Sequence, residues 1–186
     1  YVGLPLSMTF AENNIKVLGF DVSKKIVKNL NSGISHIDDV ENKVLNKVLS
    51  VNKFEALTDF SELSICDAII ICVPTPLDEF LKPDMSYIVS ACEMIGKYLS
   101  KNSFICLEST TYPTTTENLI VPLIEEKSGL ISGKDFWVAY SPERVDPGNE
   151  IYNTKNTPKV IGAIDDMGIR IAENLYKKAI DEIHTV

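Results

Sequence analysis

The sequence predicts an α/β fold with a doubly wound, parallel sheet. Two observations carry this reading. Strand-like and helix-like apolar patterns alternate along the whole chain, which is the order that stacks helices on a parallel sheet. Runs such as "DAIIICV" (67–73) and "SFICLE" (103–108) are almost wholly apolar, which suits strands covered on both faces.

The elements follow in order. "YVGLPLSMTF" (1–10) leads from a glycine among apolar residues straight into a helix. "IKVLGFD" (15–21) is a short strand. "SKKIVKNLNSG" (23–33) spaces Ile26, Val27 and Leu30 as one helical face, with Ser23 as N-cap and Gly33 as stop. "DDVENKVLNKVLSVN" (38–52) repeats that spacing. The strand 67–73 is followed by a helix over 85–99, and the strand 103–108 by a helix over 115–129 that Pro122 should bend or shorten. Residues 135–141 and 159–163 read as strands, 166–180 as a helix, and 181–186 as the start of a last strand. There is no internal repeat, low-complexity tract or long linker. The apolar beginning and the apolar strand at the end predict a piece cut at both ends.

Composition narrows the function. The 186 residues are 45% hydrophobic and 24% charged, ordinary for a packed domain, and carry a net charge of -8. That balance speaks against a nucleic-acid binder, whose affinity rests on Lys and Arg. No apolar run approaches the ~18 residues that span a bilayer, so no membrane partner is expected. Cys66, Cys72, Cys92 and Cys106 show neither CxxC pairing nor a His at metal spacing. They read as buried thiols of a cytoplasmic protein, and no metal is expected. Trp137 reads as core. His36 and His184 lack partners for a triad.

Three strand-tip loops and one acid bear the chemistry. Asp21 ends "VLGFD", 18 residues after Gly3. In a dinucleotide fold an acid about 20 residues past a glycine-rich turn accepts hydrogen bonds from the adenosine ribose. Only the last part of such a turn is present, as Tyr1-Val2-Gly3, and Asp21 also fits an ordinary strand end. An acid here favours NAD over NADP, whose 2′-phosphate it would repel. "CVPTPLDEFLKPD" (72–84) sets Thr75 beyond the carboxyl end of a strand, where open α/β sheets bind ligands. "LESTTYPTTTE" (107–117) offers the hydroxyls of Ser109 and Thr110, or simply a cap-rich turn. "YSPERVDPGNE" (140–150) places Glu143 as a candidate general base and Arg144 as a candidate anion anchor. A surface ion pair is the alternative.

In this order and spacing, "YVGLP", "GFDVS", "CVPTPL", "KPDMSY", "LESTTYP" and "SPERVDPGN" resemble the UDP-glucose/GDP-mannose dehydrogenase family over nearly all of the chain. The loops look most like the branch acting on UDP-N-acetylhexosamines, especially UDP-N-acetylglucosamine 6-dehydrogenases. The resemblance implies a Rossmann-like NAD-binding domain over 1–186, with its first strand and GxG missing, and with the central helix and the UDP-binding domain absent.

It implies oxidation of a UDP-sugar C6 alcohol to the carboxylate with two NAD, in the making of cell-surface polysaccharide precursors. An enzyme cysteine captures the intermediate aldehyde, and water hydrolyses the resulting thioester. Tyr1, Val2 and Gly3 match the pyrophosphate turn, and Asp21 the ribose acid. Thr75, Ser109 and Thr110 match positions near the nicotinamide half. Glu143 matches the base for the hydrolytic water, which Thr110 helps to place. Glu143, Arg144 and Val145 match substrate contacts. The family's catalytic Cys and Lys lie beyond residue 186, so the chain is expected to be catalytically incomplete and to bind NAD poorly. The whole protein is expected to be a homodimer or higher. UDP-glucose or GDP-mannose as substrate, or a non-catalytic NAD-binding module, are the alternatives. Two departures stand out: Ala163 replaces the second Gly of a usual "GG", and Thr114 replaces the Gly of "YPGTT". A Cβ disfavours positive φ, so that loop is expected to be shifted or weakened.

Overall fold

Residues 1–77, 79–144 and 154–186 are described by the computed structural model. They divide by mutual contact into two units. The first holds Tyr1–Phe60 and Tyr176–Glu182, with Arg144 and residues 154–158; the second holds Ser61–Glu143, Lys159–Leu175 and Ile183–Val186.

In the first unit the chain runs α1 (Gly3–Glu12), β1 (Val17–Phe20), α2 (Lys24–Asn31), α3 (Asn42–Ser50) and β2 (Phe54–Leu57). β1 and β2 pair in parallel, from Val17 opposite Phe54 to Phe20 opposite Leu57. The apolar faces of the helices meet on this pair: Leu4, Met8, Ala11, Leu30, Val40, Leu45, Val48, Phe54 and Ala56 form one buried cluster. Ser23 caps α2 as expected, its Oγ accepting from the Ile26 N–H at 3.4 Å. The helix predicted over 38–52 begins only at Asn42, after Glu41 in extended backbone. β2 has no counterpart in the sequence reading. Its outer edge is covered by a side chain. Asn31 donates to the Ala56 carbonyl and accepts from the Ala56 N–H, each at 2.8 Å.

The second unit runs β3 (Ala68–Ile71), α4 (Ser86–Tyr98), β4 (Ser103–Leu107), α5 (Val121–Ser128), β5 (Phe136–Tyr140), β6 (Lys159–Ala163), α6 (Asp166–Tyr176, its last residue counted with the first unit) and β7 (Ile183–Thr185). The strands form one five-stranded sheet in sequence order. β3, β4 and β5 are parallel, as are β6 and β7, but β5 and β6 pair antiparallel. The α/β, doubly wound reading holds, with this one reversed pairing inside the sheet. β4 is buried along its whole length, as a strand packed on both faces must be. Trp137 is half-buried rather than core. Pro122 sits in the first turn of α5, and a π-helical turn, Thr116–Ile120, precedes it, so the helical run continues through the proline. There the wider turn accommodates the missing N–H.

α4 and α5 touch at Gly96. A Cβ there would stand 2.6 Å from Lys127 Cβ and 3.2 Å from the Ile124 carbonyl oxygen. Gly96→Ala therefore trades a helix-propensity gain of about 1 kcal/mol against overpacking of about 1–3 kcal/mol. Urea unfolding should show net destabilisation.

Candidate cofactor and active site

Each unit carries its own share of the predicted residues. In the first, Val2 is the N-cap of α1 with no side-chain cap, and no acid stands in the first turn. The opening N–H groups of the helix are thus left for an outside acceptor, at the end where the helix dipole favours anions. Tyr1 is exposed, and Val2 and Gly3 are half-buried. Asp21 lies just past β1. Its N–H donates to the Leu57 carbonyl at 3.1 Å, and its Oδ1 accepts from the Ser23 N–H at 2.7 Å. That bond fixes the carboxylate at the strand tip. Arg144 is exposed and groups with this unit. Val145 lies outside the described residues.

In the second unit the parallel strands β3, β4 and β5 are neighbours, so their carboxyl ends share one edge of the sheet. Thr75, Ser109, Thr110 and Glu143 all follow those ends. Ser109 is buried, and its Oγ donates to the Val73 carbonyl at 2.7 Å, tying two tips together. Thr110 is exposed and Thr75 half-buried. Glu143 is half-buried, two residues past the fully buried Ser141. Among the described residues Ser141 Oγ meets no hydrogen-bond partner.

The sequence reading missed the strongest electrostatic feature of this edge. Glu108, fully buried, accepts from Lys159 Nζ at 2.9 Å, with the Lys159 side chain 10% exposed. A carboxylate at such depth is tolerable only when paired. The signal was present: an acid and a base each abut an otherwise apolar strand. They stand 51 positions apart, beyond any local pattern.

Thr114 takes the left-handed conformation, with φ of 69°, which a β-branched residue rarely adopts. Its hydroxyl and carbonyl accept from the side chain and backbone of Asn118, each at 2.9 Å. Beside it, Thr115 Oγ1 meets Thr111 Oγ1 at 2.7 Å and the Tyr112 carbonyl at 2.7 Å. These bonds hold a strained backbone in place. Ala163 is accommodated by another glycine: a Cβ at Gly168 would stand 3.0 Å from Ala163 Cβ.

The cysteines are free thiols; Cys92 and Cys106 are buried, but Cys66 and Cys72 are only partly covered as residues. Burial pushes the Cys92 thiol up to about 12. Burial, then Glu108, Cys106 and Glu143, push Cys72 well above its ordinary value, with Lys159 opposing. Burial, then Asp67 and Glu62, raise Cys66. Such thiols stay protonated near neutrality and are poor nucleophiles. Among the described residues no group of three or more His, Cys, Asp or Glu is placed to hold a metal. No described helix is long and apolar enough to cross a membrane.

An uncapped helix start, an acid fixed at a strand tip and strand-end hydroxyls are features of dinucleotide-binding α/β proteins. Residues 1–180 match the model of the UDP-glucose/GDP-mannose dehydrogenase family, NAD binding domain. Protein CapL of Staphylococcus aureus is 37% identical over 181 residues, covering 97% of this chain and 41% of CapL. UDP-N-acetyl-D-glucosamine 6-dehydrogenase of Pseudomonas aeruginosa is 34% identical over 180 residues, covering 97% of this chain and 42% of that protein. The solved structure of UDP-D-ManNAc dehydrogenase from Pyrococcus horikoshii superposes with a TM-score of 0.93 at 33% identity, covering all of this chain and 44% of that one. The chain belongs to the UDP-glucose/GDP-mannose dehydrogenase family, as its NAD-binding domain, and NAD is its cofactor. It spans about two fifths of the length of the curated relatives it matches. The residues present fit NAD. The uncapped start of α1 suits a pyrophosphate, and the acid rather than a base at Asp21 suits an unphosphorylated ribose.

Two stability predictions follow from this geometry. Lys159→Met should destabilise the chain by about 3–5 kcal/mol, because it strands a buried carboxylate; adding Glu108→Gln should recover most of that loss in urea unfolding. Thr114→Gly should stabilise by about 1 kcal/mol through relief of backbone strain, seen as a higher urea midpoint with unchanged slope.

Proposed function

We propose that the chain is the NAD-binding part of a nucleotide-sugar 6-dehydrogenase that oxidises a UDP-N-acetylhexosamine, UDP-N-acetylglucosamine in our reading, to its uronic acid for cell-surface polysaccharide. The observation that carries this is the shared edge of strand tips bearing Thr75, Ser109, Thr110 and Glu143, in a chain whose relatives are named for UDP-N-acetyl-D-glucosamine and UDP-N-acetyl-D-mannosamine. NAD, when bound, supplies a hydride acceptor for each of the two oxidations.

The chain's residues hold and orient. Tyr1, Val2 and Gly3 carry the pyrophosphate, Asp21 the ribose hydroxyls, and Thr75, Ser109 and Thr110 the nicotinamide half. Glu143 takes a proton from the water that hydrolyses the thioester, and Thr110 helps to place that water. Arg144 and Val145 contact the substrate. The thiol that captures the aldehyde comes from the remainder of the protein. The protonated state favoured for Cys66, Cys72 and Cys92 supports this. A remainder carrying most of the sugar contacts and a dimerising surface completes the proposal.

In the whole dehydrogenase, Glu143→Gln should slow thioester hydrolysis by about 100-fold or more and let acyl-enzyme accumulate, detected by mass spectrometry of the intact protein. Unchanged turnover would remove Glu143 from the mechanism. Calorimetry on Asp21→Ala should show NAD binding weakened about tenfold, or about 1.4 kcal/mol, and equal affinity would reject the ribose assignment. A panel of UDP-N-acetylglucosamine, UDP-N-acetylmannosamine, UDP-glucose and GDP-mannose identifies the sugar; preference for either of the last two refutes the N-acetylhexosamine reading.

A further inference from the structure

We propose that Lys159, anchored by the buried carboxylate of Glu108, is a positioning residue for Glu143. The inference rests on the reading of Glu143 as the base that activates water.

Sheet register brings the three residues together. Ile71, Leu107 and Tyr140 stand in one row across β3, β4 and β5. The Glu108 N–H donates to the Ile71 carbonyl at 2.8 Å, and the Ser141 N–H to the Leu107 carbonyl at 3.0 Å. Both ladders therefore run one residue past the strands. The next row is Cys72, Glu108 and Ser141, with side chains on one face of the sheet.

β6 approaches β5 from the other side, with Ala139 opposite Ala163 and Tyr140 opposite Gly162. The pairing ends at Tyr140 and Gly162; carried on through Pro142 in the same alternation, it would bring Glu143 toward Lys159 on the face that carries Glu108. Lys159 belongs to the strand beyond β5, yet its ammonium reaches Glu108 on the strand before it. Its side chain crosses the β5 tip on which Glu143 is mounted. The Cys72 thiol feels all three charges, Glu108 and Glu143 raising its pKa and Lys159 lowering it.

The Lys159 ammonium, bonded to Glu108, crosses the tip that carries Glu143. Glu108 is fully enclosed and holds Lys159 by a charge-assisted hydrogen bond. Glu143 is half-buried and stands toward the edge. Attraction to the anchored ammonium limits the directions its carboxylate can take, and a base that must meet a water within hydrogen-bond reach depends on such aim. Removing the ammonium takes that attraction away.

The test separates this role from a purely structural one. In the whole dehydrogenase, single-turnover kinetics would follow acyl-enzyme formation and hydrolysis separately. Glu108→Gln/Lys159→Met removes both buried charges together. It should keep KM for NAD and the rate of acyl-enzyme formation, and lose about tenfold or more in hydrolysis. Lys159→Arg should retain most of the hydrolysis rate. If the double variant does not fold, Glu108→Asp serves instead. It keeps the charge but shortens the reach, and should slow hydrolysis without changing KM for NAD. Hydrolysis at the wild-type rate in whichever of these variants folds, while Glu143→Gln is slow, overturns the positioning role and leaves the pair as a structural staple. Wild-type hydrolysis in Glu143→Gln itself is a different failure, that of the base assignment.

Discussion

The second unit depends on one buried ion pair. Glu108 and Lys159 belong to strands separated by β5, so their bond clasps β4, β5 and β6 at the end where the candidate residues emerge. Hydrophobic burial alone holds strands together but is indifferent to small slips along them. A lysine that must reach one particular carboxylate is not indifferent. Ser109 follows Glu108 directly and so stands beside one end of that bond. The reversed direction of β6 makes the clasp possible. It brings the start of the strand, where Lys159 sits, to the carboxyl ends of its neighbours.

Two chemistries are divided between two units. The first offers backbone N–H groups at a helix start and a fixed carboxylate, which suits the polar, anionic part of a dinucleotide. The second offers hydroxyls and a carboxylate above an apolar sheet, which suits a reacting carbon and a water. Neither set has an obvious nucleophile. Burial raises the thiols of Cys72 and Cys92, which keeps them protonated near neutrality.

Long apolar runs made most of the fold legible. β3, β4 and their helices were readable because burial on both faces leaves no ambiguity. β2 was not, because "FEAL" alternates over only four residues and a pattern so short has no contrast with its surroundings. The reversed β6 had a quiet signal: residues 141–158 hold Pro142, Pro147, Gly148 and Pro158 and no helical period, whereas a parallel return usually needs a crossover helix. The candidate site divides the same way. Asp21, Thr75 and Ser109 were readable from their places at strand ends. Glu108 and Lys159 were not, because a charged residue beside a strand reads as solvated until its distant partner is known. Thr114 is the reverse case: propensity argues against a left-handed threonine, yet the residue adopts it and accepts local hydrogen bonds from Asn118, four positions on.

The carboxamide of Asn31 also has a meaning for how this molecule meets its own copies. β1 takes the Lys53 and Leu57 carbonyls, so the N–H and carbonyl of Ala56 point to the open side of β2. An open strand edge is a template on which identical chains can polymerise. Asn31 presents one donor and one acceptor at the spacing of a peptide group, so it acts as a one-residue counterfeit strand. At this point of the edge the Ala56 peptide group is already taken, and it is not offered to a second strand.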